Sequence, residues 1–179
     1  MGIAYTPEQA ADITAIRQLA LTYAVAIDSR DLDLVASLYV DDVDRGDYGR
    51  GHDALRRSLK VSLSASKVNI HNVSTHMITL IDADHATGTV YNRGEAMMAD
   101  GTWRTNVGAY DDIYERRDGE WRFVKRTLRL FYSEGPLPSS GTERIGERLG
   151  GNAFSPTTSN ETLPYAWGTW QRFQNEATQ

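Results

Sequence analysis

Hydrophobic positions follow two different periods along this chain, and the change from one to the other divides it. From Thr6 to Asp28 apolar residues recur at steps of three and four, with Ile13, Ile16, Ala20, Tyr23 and Ile27 sharing one helical face. Thr6 suits the N-cap, Pro7 the first turn, and Gln9 the far corner of a capping box. A second helix, capped by Asp31, is expected to turn Leu34, Val35 and Leu38 inward. A third, from Asp53 to Leu63, buries Leu55, Leu59 and Leu63 and shows Arg56, Arg57 and Lys60 to solvent. Between these two helices the run Asp41-Asp42-Val43-Asp44 reads as a solvated loop, since Asp is seldom buried. Tyr48 follows among Gly46, Gly49 and Gly51, on a loop able to drape a phenolic hydroxyl over a pocket mouth.

From Val68 the pattern alternates, which is the period of a strand. Asn69 to Ile81 is closed by Asp82-Ala83-Asp84. Ala86 to Ala99 meets Thr102 to Arg116 across the hairpin signal Asp100-Gly101, and Asp118-Gly119 turns into Glu120 to Tyr132. Three helices followed by a four-stranded meander define an α+β domain over residues 1–134, with the helices packed on a curved, mainly antiparallel sheet. Residues 135–179 differ in character. Pro136, Pro138 and Gly141 mark a hinge, Thr142 to Leu149 suits a short helix, and Tyr165, Trp167, Trp170 and Phe173 cluster near the end. Such aromatics want a surface, so this extension is expected to pack on the domain or on a neighbouring subunit.

Composition narrows the function. The 179 residues carry 40% apolar and 24% charged side chains, a net charge of -5 and a pI near 5.3, with basic residues scattered, so nucleic acid is not an expected partner. The N-terminal residues lack a basic, apolar leader pattern, and no stretch reads as a membrane span, so a cytoplasmic protein without a membrane partner is expected. Cysteine is absent, which excludes thiolate nucleophiles and cysteine metal sites.

The chemistry then falls to acids, histidines and a few hydroxyls. Asp28 lies next to Ile27 at the margin of the first apolar stripe, where it can lean into a hollow beneath the helix; the alternative is a solvated helix-end carboxylate. Strict alternation puts His71, Val73, Thr75, Met77 and Thr79 on one face of their strand and His76 on the other, so a two-histidine metal site is not expected unless a bulge intervenes. A carboxylate beside His71 would fix its tautomer and make it a base near neutral pH. On the last strand Trp121, Phe123 and Lys125 alternate with Arg122, Val124, Arg126, Leu128 and Leu130. If the second set lines the hollow, Arg126 can hold an anionic group or stabilise developing negative charge. Tyr23 and Tyr48 are candidate phenolic donors, while the run Tyr110 to Tyr114 is read as pairing or edge charges.

Three stretches carry a family resemblance: Ile16 to Asp28; Asn69-Ile70-His71 followed by Ala86 to Tyr91; and Tyr114 to Phe123 with its Asp-Gly turn and Trp-led strand. Over roughly Glu8 to Glu134 the chain resembles the nuclear transport factor 2-like superfamily, in its SnoaL-like branch. It is most similar there to bile-acid 7-alpha-dehydratases, hexachlorocyclohexane dehydrochlorinases and scytalone dehydratases. The resemblance implies a cone-shaped α+β barrel around an apolar pocket, formed in homodimers or homotrimers. It also implies cofactor-independent elimination by an Asp-His pair at Asp28 and His71, with Tyr23 and Arg126 on further active-site positions. The dehydrochlorinase lysine falls on Tyr23 and the bile-acid enzyme's arginine on Leu130, so the group that would stabilise an oxyanion departs from the pattern.

These readings point to a lyase or isomerase of dehydratase type that needs no cofactor or metal and acts on a small, apolar, cyclic, steroid- or polyketide-like substrate. Asp28, His71, Tyr23 and Arg126 would carry the chemistry, and Tyr48, Val73, Thr75, Leu128 and Leu130 would hold the substrate. Two rivals stay open: a non-catalytic module that binds a hydrophobic ligand, and a cyclase or hydrolase that uses Asp28 without His71.

Overall fold

The computed structural model describes residues 3–134, which form α1 (Pro7–Asp28), α2 (Leu32–Ser37), α3 (His52–Leu63) and strands β1 (Ser66–Leu80), β2 (His85–Met98), β3 (Trp103–Arg117) and β4 (Glu120–Glu134). A short 3-10 turn, Gly46–Tyr48, precedes α3. The strands make one antiparallel, curved and unclosed sheet in the order β1-β2-β3-β4, the α+β arrangement expected. The extension expected at 135–179, with its aromatic cluster, lies outside the described residues.

α1 starts as its sequence dictates. Thr6 Oγ1 accepts from the Gln9 backbone N–H at 3.2 Å, and Gln9 Oε1 accepts from the Thr6 N–H at 3.0 Å. By length and composition this helix is apolar enough to cross a membrane, contrary to the sequence reading. Its inner face nonetheless belongs to the core, where Ile16, Ala20 and Ala26 are fully buried. In α2, Val35 and Ala36 are buried, as is Leu38 just beyond it, but Leu34 is on the outside, because at about 100° per residue it lies roughly 200° round the helix from the fully buried Ala36. After α2 the backbone joins the sheet: Phe123 donates to Leu38 O and Val40 to Phe123 O, a parallel bridge that ties the helical layer to β4.

Strict alternation fails at four places in the sheet, and two of these failures decide which site residues face the interior. Between Val73 and His76, β1 advances three residues while β2 advances two, from Asn92 to Val90. This bulge inserts one residue and reverses which side chains face inward. His71 and Val73 before it, and His76, Ile78 and Leu80 after it, are all half-buried, whereas Thr75, Met77 and Thr79 are exposed. Both histidines therefore share the inner face. A second bulge on β4, at Val124 between the pairs Ile113↔Lys125 and Tyr114↔Phe123, puts Trp121, Phe123 and Arg126 on one side. The two alternating sets expected on that strand are in fact spliced together.

Candidate active site

α1 ends beneath the start of β1, and the link between them is specific. Arg30, in the turn after the helix, adopts a left-handed conformation at φ 61°. Its guanidinium donates to Ile27 O at 3.1 Å, Ser66 O at 3.2 Å and Asn69 Oδ1 at 2.7 Å. The last turn of α1 and the first turn of β1 are thereby fixed to each other. Within that frame Asp28 accepts two bonds from one residue: the His71 backbone N–H at 2.9 Å and the His71 ring Nδ1 at 2.6 Å. A carboxylate only accepts, so Nδ1 carries the proton and Nε2 carries the lone pair. The imidazole is mostly covered, with 13% of its side chain exposed, and Asp28 retains 27%.

His71 forms part of the wall of a cavity of about 250 Å³. Tyr23, Ile27, Leu59 and Leu63 close it from the helical side, and Tyr110, Leu128 and Leu130 from the sheet. Asn92 and Gly94 stand beside His71 on the neighbouring strand, with Gly94 directly opposite it in the ladder. A separate hollow of about 330 Å³ lies around Met77, Thr87, Thr89 and Lys125, on residues that point away from the Asp28–His71 pair.

Of the residues expected to hold substrate, Leu128 and Leu130 line the cavity, and Val73 packs beside Ala20, Val90 and Tyr110 at its margin. Thr75 does not line it: the β1 bulge turns this side chain outward. Tyr48 is also away from it, 40% exposed on its 3-10 turn, where its carbonyl accepts from Arg57. His52 and His85 are elsewhere, the first against Tyr39 O and the second paired with Asp82 at the surface.

Arg126 is neither at a rim nor free. Its side chain is 2% exposed and binds Asp112, itself fully buried, through two bonds of 2.9 and 2.7 Å. Asp112, expected as a pairing or edge charge, is thus the counter-ion of a buried cation. The guanidinium lies 4.4 Å from the Tyr23 ring centre and 4.5 Å from that of Tyr110, so both phenols stand between it and the cavity. Burial raises the Tyr23 and Tyr110 hydroxyls above their ordinary range, against the opposing pull of Arg126, so both are protonated donors at neutral pH. From Asp112 a chain of bonds continues outward: Tyr114 donates to Asp112 at 2.7 Å, and His76 Nε2 lies 3.0 Å from the Tyr114 oxygen.

Sequence reasoning missed Tyr110, Asn92 and Gly94. An inward face on β2 could have been read from the alternating small residues Ala86, Gly88, Gly94 and Ala96, which leave room that larger side chains would fill. Among the described residues no cluster of three or more acids and histidines could hold a metal ion.

The SnoaL-like domain model matches residues 8–127, and the chain belongs to that family, within the nuclear transport factor 2-like superfamily. Its fold is similar to LinA, at 27% identity and a TM-score of 0.65 over 74% of this chain and 93% of that one. A type 2 hexachlorocyclohexane dehydrochlorinase gives 21% identity and 0.66 over 78% and 97%. A candidate scytalone dehydratase from Novosphingobium aromaticivorans gives 21% and 0.63 over 72% and 90%. A search of curated protein sequences returned no match.

Proposed function

We propose that this protein is a cofactor-independent lyase of dehydratase or isomerase type, in which His71 removes a proton from the carbon next to a ring carbonyl. The observation that supports this most is the Asp28–His71 pair, joined at 2.6 Å with its free nitrogen on a residue that lines the cavity. Asp28 holds the imidazole in the basic tautomer and offsets the charge it acquires. The enolate oxygen takes hydrogen bonds from the Tyr23 and Tyr110 hydroxyls. Arg126 acts through these rings: a cation against a phenol makes it a better donor. In dehydration the C–H electrons form the new double bond, the β-hydroxyl leaves, and the imidazolium returns its proton to make water. The SnoaL-like family and its dehydrochlorinase and dehydratase neighbours agree with this class of chemistry.

The cavity, at about 250 Å³, is slightly below the roughly 300–1,000 Å³ of drug-sized pockets, which favours a one- or two-ring substrate over a full steroid. A homodimer or homotrimer in the cytoplasm goes with the reading, and light scattering and cell fractionation test those two points. The chemistry is tested with 3-hydroxycyclohexanone, whose dehydration yields an enone followed by its ultraviolet absorption. Wild-type protein should accelerate the reaction, and His71→Ala should lower the rate by about 10² to 10⁴. A His71→Ala protein within a few fold of wild type would sink the proposal. Activity lost in Asp28→Asn but spared in His71→Ala would instead identify the lone-aspartate cyclase.

A further inference from the structure

Tyr23 and Tyr110 each end in a hydroxyl without a hydrogen-bond partner among the described residues, although both rings stand in the cavity wall. Among those residues, the unpartnered side-chain oxygens and nitrogens that are closed to solvent are Asn92 Oδ1 and Arg126 Nη1. The two hydroxyls are unbonded but not closed off, so they are free to donate to whatever enters. Their ring centres are 6.1 Å apart, a spacing that suits one ligand oxygen held between them.

A fixed charge stands behind the rings. Arg126 lies 4.4 Å from the Tyr23 ring centre, 4.5 Å from that of Tyr110 and 4.4 Å from that of Phe123, and its two bonds to Asp112 keep it there. The ion pair is an oriented dipole, and at both phenols the pull of the cation outweighs the push of the anion. A negative oxygen seated on the phenols is therefore stabilised from behind. Two carboxylates near the cavity work against an anion. Glu95 is already met by Thr105 at 2.6 Å and Arg93 at 3.0 Å, and Asp28 by His71. An anion arriving from solvent meets the Asp28 charge, whereas a neutral acid that leaves its proton on His71 turns that pair into carboxylate and imidazolium.

We propose that the cavity captures acidic hydroxyarenes, one- or two-ring phenols that enter neutral and are held as phenolates between Tyr23 and Tyr110. The phenolic O–H bond breaks, its electron pair stays on oxygen, and the proton passes through solvent to Nε2 of His71. A planar phenolate has the shape and charge of the enolate of a ring ketone, so such compounds should compete with a ring-ketone substrate. This rests on the reading above for where the substrate sits, but it needs no turnover.

The test uses 4-nitrophenol, yellow as the phenolate and colourless as the acid, with its methyl ether 4-nitroanisole as the probe that has no proton to lose. At a pH where the free phenol is almost wholly neutral, the full chain should turn bound nitrophenol yellow and bind it at least about tenfold tighter than the ether. Tyr23→Phe and Tyr110→Phe should each weaken nitrophenol about tenfold and leave the ether within about twofold. His71→Ala should leave bound nitrophenol colourless. A wild-type complex that stays colourless, an ether bound as tightly as the phenol, or a yellow complex that survives unchanged in the tyrosine or the histidine variants overturns the assignment. The two readings fail separately: dehydration of 3-hydroxycyclohexanone by a protein that holds nitrophenol neutral removes this inference alone, and a yellow complex in a protein without turnover removes the lyase and keeps the phenol site.

Discussion

His71 and His76 are five positions apart on one face of one strand, and their surroundings set them to opposite tasks. His71 has a carboxylate on Nδ1 and stands in the wall of the cavity. His76 has a phenol that is itself committed to Asp112, so its Nε2–H must donate to the Tyr114 oxygen. Burial pushes His76 down to about 4 from an ordinary 6.5, with Arg126 and Arg17 adding to the effect and Asp112 opposing it. Between those two pH values the unfolded chain binds a proton that the folded chain refuses, so stability is complete above about 6.5 and falls as pH drops toward 4. His76→Gln should remove this component. Its melting temperature should fall less than that of wild type between pH 7 and pH 4.5, by a few degrees. That corresponds to about 1 kcal/mol once the screening of a half-exposed group is discounted. Parallel melting curves across that range would refute the assignment of His76 as a group held neutral. The acid and the base at Asp28 and His71 were legible as residues because helical spacing put the one at a buried margin and alternation put the other at a strand start. Their contact was not legible, since it depends on how helix and strand are joined.

At the scale of elements, the bulges decide what faces the interior, and a single inserted residue defeats any pattern of period two. Thr75 was misplaced for this reason, and Arg126 was assigned to the wrong neighbours for the same one. Glycine marks the difference between positions that make a bulge and positions that make space. At Gly108, where β4 bulges between Val107 and Gly108, an added Cβ would lie 2.5 Å from Arg129 O, a backbone atom that cannot move aside. At Gly94 the nearest contact would be Asn92 Nδ2 at 3.4 Å, an ordinary separation. Gly108→Ala should therefore destabilise the protein by several kcal/mol, in the upper range for a point substitution, whereas Gly94→Ala should fold normally. Gly94→Ala should still act at the site, raising KM for ring substrates by narrowing the space beside His71. Equal melting temperatures for the two variants would show that the β4 bulge is not held by its glycine. The four strands, their turns and three helices were legible because Asp-Gly turns and a change of period are local signals. Bulges carry no comparable local signal in this chain.

Over the whole molecule, the helical layer and the sheet share one core, in which Ile16, Val35 and Leu55 pack with Tyr114, Trp121 and Phe123, and they must be held in one register for the site to exist. Two clamps do this. Near the start of α1, Asp12 accepts from Trp121 Nε1 at 3.0 Å and from Arg116 at 2.7 Å, which attaches the helix to the far end of β3 and β4. Near its end, Arg30 spans from Ile27 O to Ser66 and Asn69. Only the second clamp adjoins the Asp28–His71 pair, so the two should be separable by experiment. Arg30 touches neither Asp28 nor His71 by hydrogen bond, which makes it a positioning residue. Arg30→Met keeps the apolar stem but leaves the Asn69 and Ser66 oxygens without this donor, and a loss of about 1–3 kcal/mol in stability is expected. Because misplacement by about 1 Å can cost 10²-fold in rate, kcat should fall well beyond what the change in folded fraction explains, with KM little altered. Arg30→Lys should not restore it, since an ammonium on a flexible stem cannot bridge helix and strand as a planar fork does. Asp12→Asn should behave differently, lowering the melting temperature while leaving kcat near wild type. Equal effects of the two substitutions on kcat would mean that the layers move as one body and that no local clamp sets the distance between carboxylate and imidazole.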